Sequence, residues 1–143
     1  MHYDLNQVDR LHLVNLNESA PPVLIPKRCA CGKTAFAKQL EQHGKCGACQ
    51  FDERAATLQP EDLEILCHML GATPHHARVH WGFRNEYLAN HRDRPALERL
   101  LKAGFIRFGR SLLLLHYFHA TAAGCKLAGL SAKRAAVALG ARP

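Results

Sequence analysis

The sequence predicts an α+β, mainly helical protein: a small cysteine-rich module followed by a helical domain with one β-hairpin. Three observations carry this reading. Four of the six cysteines fall in two tight pairs, Cys29/Cys31 and Cys46/Cys49. Apolar residues then recur with a helical period over Leu63–Leu70 and again over Leu97–Leu101. From Phe105 the period changes to that of strands. The chain divides accordingly into residues 1–56, an N-terminal arm with the cysteine module, and residues 57–143, the helical domain with a C-terminal helical extension.

Each element has its own signal. In the arm, Leu11, Leu13 and Val23-Leu24-Ile25 are candidate short strands, and Pro21-Pro22 and Pro26 break anything longer. Thr34 to His43 reads as a short helix ended by Gly44. Residues 51–59 read as a linker. Pro60 opens the clearest helix, with Glu61 and Asp62 suited to its positive end. Leu63, Leu66, Cys67 and Leu70 form its apolar face, and Gly71 stops it. Residues 72–92 are irregular. Asp93 is a candidate cap for a second helix, with Pro95 in its first turn. Leu97, Leu100 and Leu101 form its buried stripe, Arg94, Glu98 and Lys102 its outer face. Gly104 ends it. Phe105–Phe108 and Leu112–Phe118 form the hairpin, joined by Gly109-Arg110-Ser111. Thr121 caps a third helix running to about Leu130, and Ser131 caps a last one, Ala132 to Leu139, closed by Gly140.

The chain has 143 residues, 48% of them apolar, enough to bury a core. No apolar run approaches the roughly 18 residues of a membrane span. Met1-His2-Tyr3-Asp4 lacks the basic start of a secretion signal. A soluble cytoplasmic protein with no membrane partner is the expectation, its cysteines reduced rather than paired in disulfides.

The spacing Cys29-x-Cys31, then Cys46-x-x-Cys49, suits four thiolates around one Zn2+. Gly32, Gly44 and Gly47 let the chain turn tightly so that backbone N–H groups face sulfur. Lys27, Arg28, Lys33 and Lys45 offset the net negative charge of such a site. Four protein ligands leave no position for water, so the site is structural rather than catalytic. His43 is an alternative ligand to one cysteine. Free thiols, and a redox pair at Cys46/Cys49, are the competing readings; no thioredoxin-like βαβ pattern surrounds that pair.

The run Leu97-x-x-Leu100-Leu101-x-x-Gly104-Phe105-Ile106, then a hairpin, then Tyr117-Phe118-x-x-Thr121-x-x-Gly124, resembles the end of many winged helix-turn-helix domains. Leu66-x-His68-Met69-Leu70-Gly71 with Arg84-Asn85-x-Tyr87 is similar to small uncharacterised proteins of bacteriophages and prophages. The resemblance covers about residues 60–128. It implies a winged-helix-like domain behind a zinc knuckle, with residues 93–103 as the helix that enters the DNA major groove. Arg92, Arg94, Arg99 and Lys102 then meet phosphates or guanine edges, with Arg107 and Arg110 on the wing.

Charge agrees with an acidic partner, DNA or an acidic host protein. The net charge is +7, and residues 61–143 hold twelve Lys/Arg against six Asp/Glu. Two features do not fit a DNA reader. Only one clear helix precedes residues 93–103. The second hairpin strand begins with four leucines, which suggests that both its faces are covered. A protein partner meeting Leu113 and Leu115, a homodimer through the 112–118 strand, the N-terminal arm or the last helix would each cover them. The function expected is therefore a nucleic-acid-binding regulator with a structural zinc. The alternative is a phage-encoded module that inhibits a host factor or defence system.

Catalysis is not expected. Cys31-Gly32-Lys33-Thr34 lacks the upstream glycine of a phosphate-binding loop. Ser19, Ser111 and Ser131 are not in a nucleophile elbow. Cys67 and Cys125 read as core residues. His75, His76 and His80, and His116-x-x-His119, are weaker metal candidates. Trp81, Phe83 and Tyr87 either stack on bases or anchor the irregular segment.

Overall fold

A computed structural model describes residues 25–140. The arm expected over residues 1–24, including its candidate strands, lies outside them. The chain is mixed α and β, with a two-stranded and a three-stranded sheet. The elements are β1 (Pro26–Arg28), β2 (Thr34–Phe36), α1 (Ala37–His43), α2 (Gly47–Ala55), α3 (Pro60–Leu70), β3 (Tyr87–Leu88), α4 (Arg94–Lys102), β4 (Ile106–Leu112), β5 (Leu115–Ala120), α5 (Ala122–Leu127) and α6 (Ala132–Ala138). A single 3-10 turn, Arg78–His80, interrupts the irregular stretch.

β1 and β2 pair antiparallel, with Lys27 opposite Ala35. Pro26, expected to break an element, opens a strand instead, and Thr34–Phe36 is strand rather than the start of a helix. Residues 51–59 are not a linker throughout. α2 runs to Ala55, and Phe51, Ala55 and Leu58 pack against the main core. Phe51 meets Phe105 edge-on at 5.5 Å, and Arg54 donates to the Ala103 carbonyl at 3.1 Å.

The core sits between α3, α4, α5 and the inner side of the three-stranded sheet. Leu66, Met69, Leu70, Leu100, Phe105 and Cys125 are fully buried there. Each such apolar side chain contributes roughly 1.5–3 kcal/mol when taken out of water. The buried face of α3 is Asp62, Leu66, Met69 and Leu70. This is a rotation from the expected face: Leu63 is exposed, Cys67 half-buried, and an acid occupies the inner stripe. On α4, Ala96, Leu97 and Leu100 are buried, whereas Leu101 is partly exposed.

The sheet order is β3-β5-β4, all antiparallel. β3 enters from between α3 and α4 and pairs Tyr87 with Phe118. Asp93 does not cap α4 with its side chain; its carboxylate accepts the Tyr87 hydroxyl at 2.7 Å. The hairpin turn is also displaced from its expected place. Gly109, Arg110 and Ser111 belong to β4, at an irregularity in the register, and the chain reverses at Leu113-Leu114. Gly109 is needed there for space: a Cβ would lie 2.4 Å from the His119 ring. Thr121 and Ser131 cap α5 and α6 as expected, accepting from the N–H groups of Gly124 and Arg134.

Asn85 ties the irregular segment to the rest. Its amide accepts the Ala120 N–H at 2.6 Å and donates to the carbonyls of Ala120 and Ala138, both at 3.1 Å. One side chain thus joins the end of β5 to the end of α6. No helix among the described residues is long and apolar enough to cross a membrane.

Candidate metal centre and charged surfaces

The tip of the β1–β2 hairpin carries Cys29 and Cys31. Its turn is closed by Gly32 N–H donating to the Cys29 carbonyl at 2.8 Å, and by Cys29 N–H donating to Lys33 at 2.9 Å. Gly32 has φ +84°, a backbone conformation that a side chain resists. The second pair comes from a helix start: Cys46 is the residue before α2 and Cys49 lies in its first turn. α1 carries the chain from one pair to the other.

The four sulfurs lie within 4.8 Å of one another. Cys31 to Cys46 and Cys46 to Cys49 are 3.6 Å apart, and Cys29 to Cys49 is 3.9 Å. These separations are too long for disulfides. A regular tetrahedron with metal–sulfur bonds of about 2.3 Å has edges of about 3.8 Å, so the spacing fits one four-coordinate ion. Cys29 and Cys46 are buried, Cys49 is half-buried and Cys31 exposed. His43, at the end of α1, is exposed and does not belong to the cluster.

Local electrostatics favour thiolate at one end of the cluster. Backbone N–H groups of Cys31 and Cys46 hold the Cys29 thiol down to about 6; the Cys46 N–H lies 3.4 Å from its sulfur. The Cys49 N–H lowers Cys46 in the same way. Cys49 is pushed up to about 12, because the sulfurs of Cys31 and Cys46 crowd it. Four thiolates this close need a cation among them to be stable together. Of the neighbouring bases, Lys27 pairs with Glu41 at 3.2 Å and Lys45 with Glu53, whose carboxylate raises the lysine. No other group of three or more His, Cys, Asp or Glu among the described residues has metal-ligand spacing. His116 bonds Ser111 and His119 bonds the Asn85 carbonyl, each on its own.

The six basic residues singled out for nucleic acid do not form one surface of equal standing. Arg99 is drawn inward: its guanidinium binds Asp62 through two hydrogen bonds, 2.8 and 2.7 Å, and Glu61 at 3.0 Å. Arg94 pairs with Glu98 at 2.9 Å on the exposed face of α4. Arg110 pairs with Glu86 at 3.3 Å and lies over the Tyr117 ring. Arg92, Lys102 and Arg107 are exposed, with no carboxylate partner among the described residues.

The leucine run is not covered by any described residue. Leu113 and Leu114 are 93% and 92% exposed, and Leu112 and Leu115 are also exposed. Leu113 has φ +55°, alone among the described non-glycine residues in being left-handed. A groove of about 520 Å³ separates this turn from α4, floored by Leu97, Leu101, Phe108, Leu114 and Phe118, with Arg94 at its rim.

Two residues that matter here had only partial sequence signals. Asp62 was visible as a first-turn acid, but not as a buried one. Arg54 falls in the stretch 51–59, which reads as a linker. No family profile, curated protein or solved structure matches this chain.

Proposed function

We propose that the chain is a small nucleic-acid-binding regulatory protein held together in part by a structural zinc ion, and that it is not an enzyme. The observation that carries the metal half is the sulfur geometry: three of the six separations are 3.6–3.9 Å and all lie within 4.8 Å, compatible with a four-thiolate tetrahedron. Cys29, Cys31, Cys46 and Cys49 would hold the ion, which would supply a cross-link between the β1–β2 hairpin and α2 rather than chemistry. Zinc suits an all-sulfur tetrahedral set; iron is the other metal that such a set accepts. A reducing, cytoplasmic setting keeps the four thiols available.

The nucleic-acid half rests on charge and arrangement. After Glu98 the sequence has eight Lys/Arg and no Asp/Glu. The order α3, β3, α4, β4, β5, with β3 paired to β5, supports a winged-helix-like reading in which one helix of the helix-turn-helix is missing. Arg92 before α4, Lys102 at its end and Arg107 on the wing are the contacts favoured by their lack of carboxylate partners. Duplex DNA titrated at about 50 mM salt tests this: affinity should fall steeply with salt, and further in Arg92→Ala/Arg107→Ala. Absence of binding to any duplex at that salt counts against it.

Leu113 and Leu114 favour a second reading, a protein-interaction module. Two nearly fully exposed leucines beside an apolar groove make a contiguous apolar patch of the kind that marks an interaction site. The resemblance carried by Leu66-x-His68-Met69-Leu70-Gly71 and Arg84-Asn85-x-Tyr87 would make a host factor or defence component the partner class. Pull-down from host lysate with nuclease, compared with Leu113→Asp and Leu115→Asp, separates the two readings.

A further inference from the structure

A second groove, away from the metal centre and from α4, lies where the 3-10 turn Arg78–His80 meets the start of α6. It has a volume of about 520 Å³ and is lined by Arg78, Val79, Trp81, Leu130, Lys133 and Arg134, among others, none of them acidic. We propose that it binds a nucleotide unit, with the phosphate held by Arg78, Lys133 and Arg134 and the base laid against Trp81 and Val79.

The walls are built rather than incidental. The Trp81 indole N–H donates to the His76 carbonyl at 3.0 Å, which fixes the ring plane. The Arg78 guanidinium lies over that ring at 5.2 Å, so a base takes its place on the indole as Arg78 turns to the phosphate. Arg134 is held by the carbonyls of Trp81, at 2.6 Å, and His80, at 3.2 Å. These contacts orient its guanidinium without neutralising it, and its remaining N–H groups stay available for an anion. Gly82 lets the segment seat directly on α6: a Cβ there would lie 2.8 Å from the Arg134 carbonyl and from the Leu130 side chain. None of Arg78, Lys133 and Arg134 has a carboxylate partner among the described residues, although exposed acids elsewhere in the chain pair with other bases.

Three cations around one groove repel each other, and no carboxylate among the described residues offsets them there. Phosphate relieves that repulsion. Val79 is 69% exposed and adds an apolar ledge beside the indole. Cations joined to an aromatic and aliphatic wall are the chemistry of a nucleotide, since a phosphate alone needs no ring and an apolar ligand no charge. A volume of this size falls within the range of small-ligand pockets.

The ligand class rests on the nucleic-acid reading above, but the site does not use α4. Trp81 is the single tryptophan of the chain, so its emission reports on this groove alone. The experiment titrates the full-length, metal-loaded protein with a thymidine oligonucleotide of about ten residues, with AMP and with inorganic phosphate. Oligonucleotide should quench Trp81 emission saturably. Arg78→Ala/Lys133→Ala should raise its Kd about tenfold or more and cut the salt slope by about 1.4, with an unchanged circular dichroism spectrum. Trp81→Phe should keep most of the affinity for a dye-labelled strand, and Trp81→Ala lose it.

AMP binding as tightly as the strand supports the site with a free nucleotide as its occupant. Inorganic phosphate matching both overturns it, because the ring then contributes nothing. So does the absence of a saturable change with either nucleotide, or an unchanged Kd in the double variant. Duplex binding that depends on Arg92 and Arg107, together with no strand or AMP binding that depends on Arg78 and Lys133, would sink this groove and leave the proposed function standing. Strand binding here without duplex binding at α4 would do the reverse.

Discussion

The Arg99 guanidinium grips the fully buried carboxylate of Asp62 with two hydrogen bonds across the α3–α4 interface. The same carboxylate accepts the Gln59 N–H at 2.9 Å, closing the first turn of α3. Asp62 raises Arg99 further above its usual range, so the guanidinium stays charged at any accessible pH. Arg99→Ala should therefore destabilise the fold by about 3 kcal/mol, because it leaves a buried charge with no countercharge. Urea denaturation measures this. A midpoint that does not move would show that water reaches Asp62 and that the pair contributes little. Arg99 is accordingly a poor residue for probing DNA contacts, since its loss is felt in the core.

Metal content gives the second prediction. Protein purified without chelator should carry about one ion per chain. Cys46→Ser, which removes a buried sulfur, should lower that occupancy and the thermal midpoint together. Cobalt substitution should give the visible absorption of a tetrahedral thiolate site. Full stability in the presence of a strong chelator would show that the four thiols pack without an ion.

Gly124 tests the packing of α5. Alanine is normally the better helix former by about 1 kcal/mol. Here a Cβ would lie 2.1 Å from the Phe105 carbonyl oxygen, which is backbone and cannot step aside. Gly124→Ala should thus destabilise by about 1–3 kcal/mol or more, reversing the propensity. A variant as stable as the parent would mean that α5 sits further from the Phe105 backbone than described.

Leu113 predicts the opposite sign. It occupies the first position of a two-residue hairpin turn at φ +55°, where glycine or asparagine is at ease. Leu113→Asn should leave stability unchanged or raise it by roughly 0.5–1 kcal/mol, since no burial is lost. Losing partner capture in the same variant would identify the leucine as retained for contact. A loss of stability would show that the side chain packs against something in solution.

Tyr87 supplies a pH signature. Burial, with help from the Asp93 carboxylate, pushes its phenol up to about 12 from an ordinary 10. The folded state thus holds a proton that the unfolded state gives up sooner. Its contribution to stability is complete below about pH 10 and is lost as pH rises toward 12. Ultraviolet titration should show one late phenol that disappears in Tyr87→Phe. Three tyrosines titrating together near 10 would contradict the Asp93 bond.

Legibility followed the range of each signal. The cysteine spacing, the capping threonine and serine, and the helix beginning at Pro60 depend on neighbours a few residues apart, and they were readable. Placement of the hairpin turn failed because Gly109 looked like a turn residue. Its real task is to admit the His119 ring from the opposite strand, a long-range fact. Leu113 looked like strand interior, because a leucine at positive φ has no sequence signature. The inward face of Asp62 escaped notice for the same reason: its partner lies 37 residues away. The second half of α2 reads as a linker because the helix is short and polar, and Phe51 finds its pocket only once Phe105 is in place.

That placement of α2 has a mechanical side. Its first turn bears Cys49 and its last turn bears Arg54, which bonds Ala103 at the end of α4. At about 1.5 Å per residue the helix is a strut roughly 13 Å long. An ion gripping one end would brace the other. Stripping or oxidising the thiolates would then slacken α4 at a distance, and damage at the surface would be felt as play in the interior.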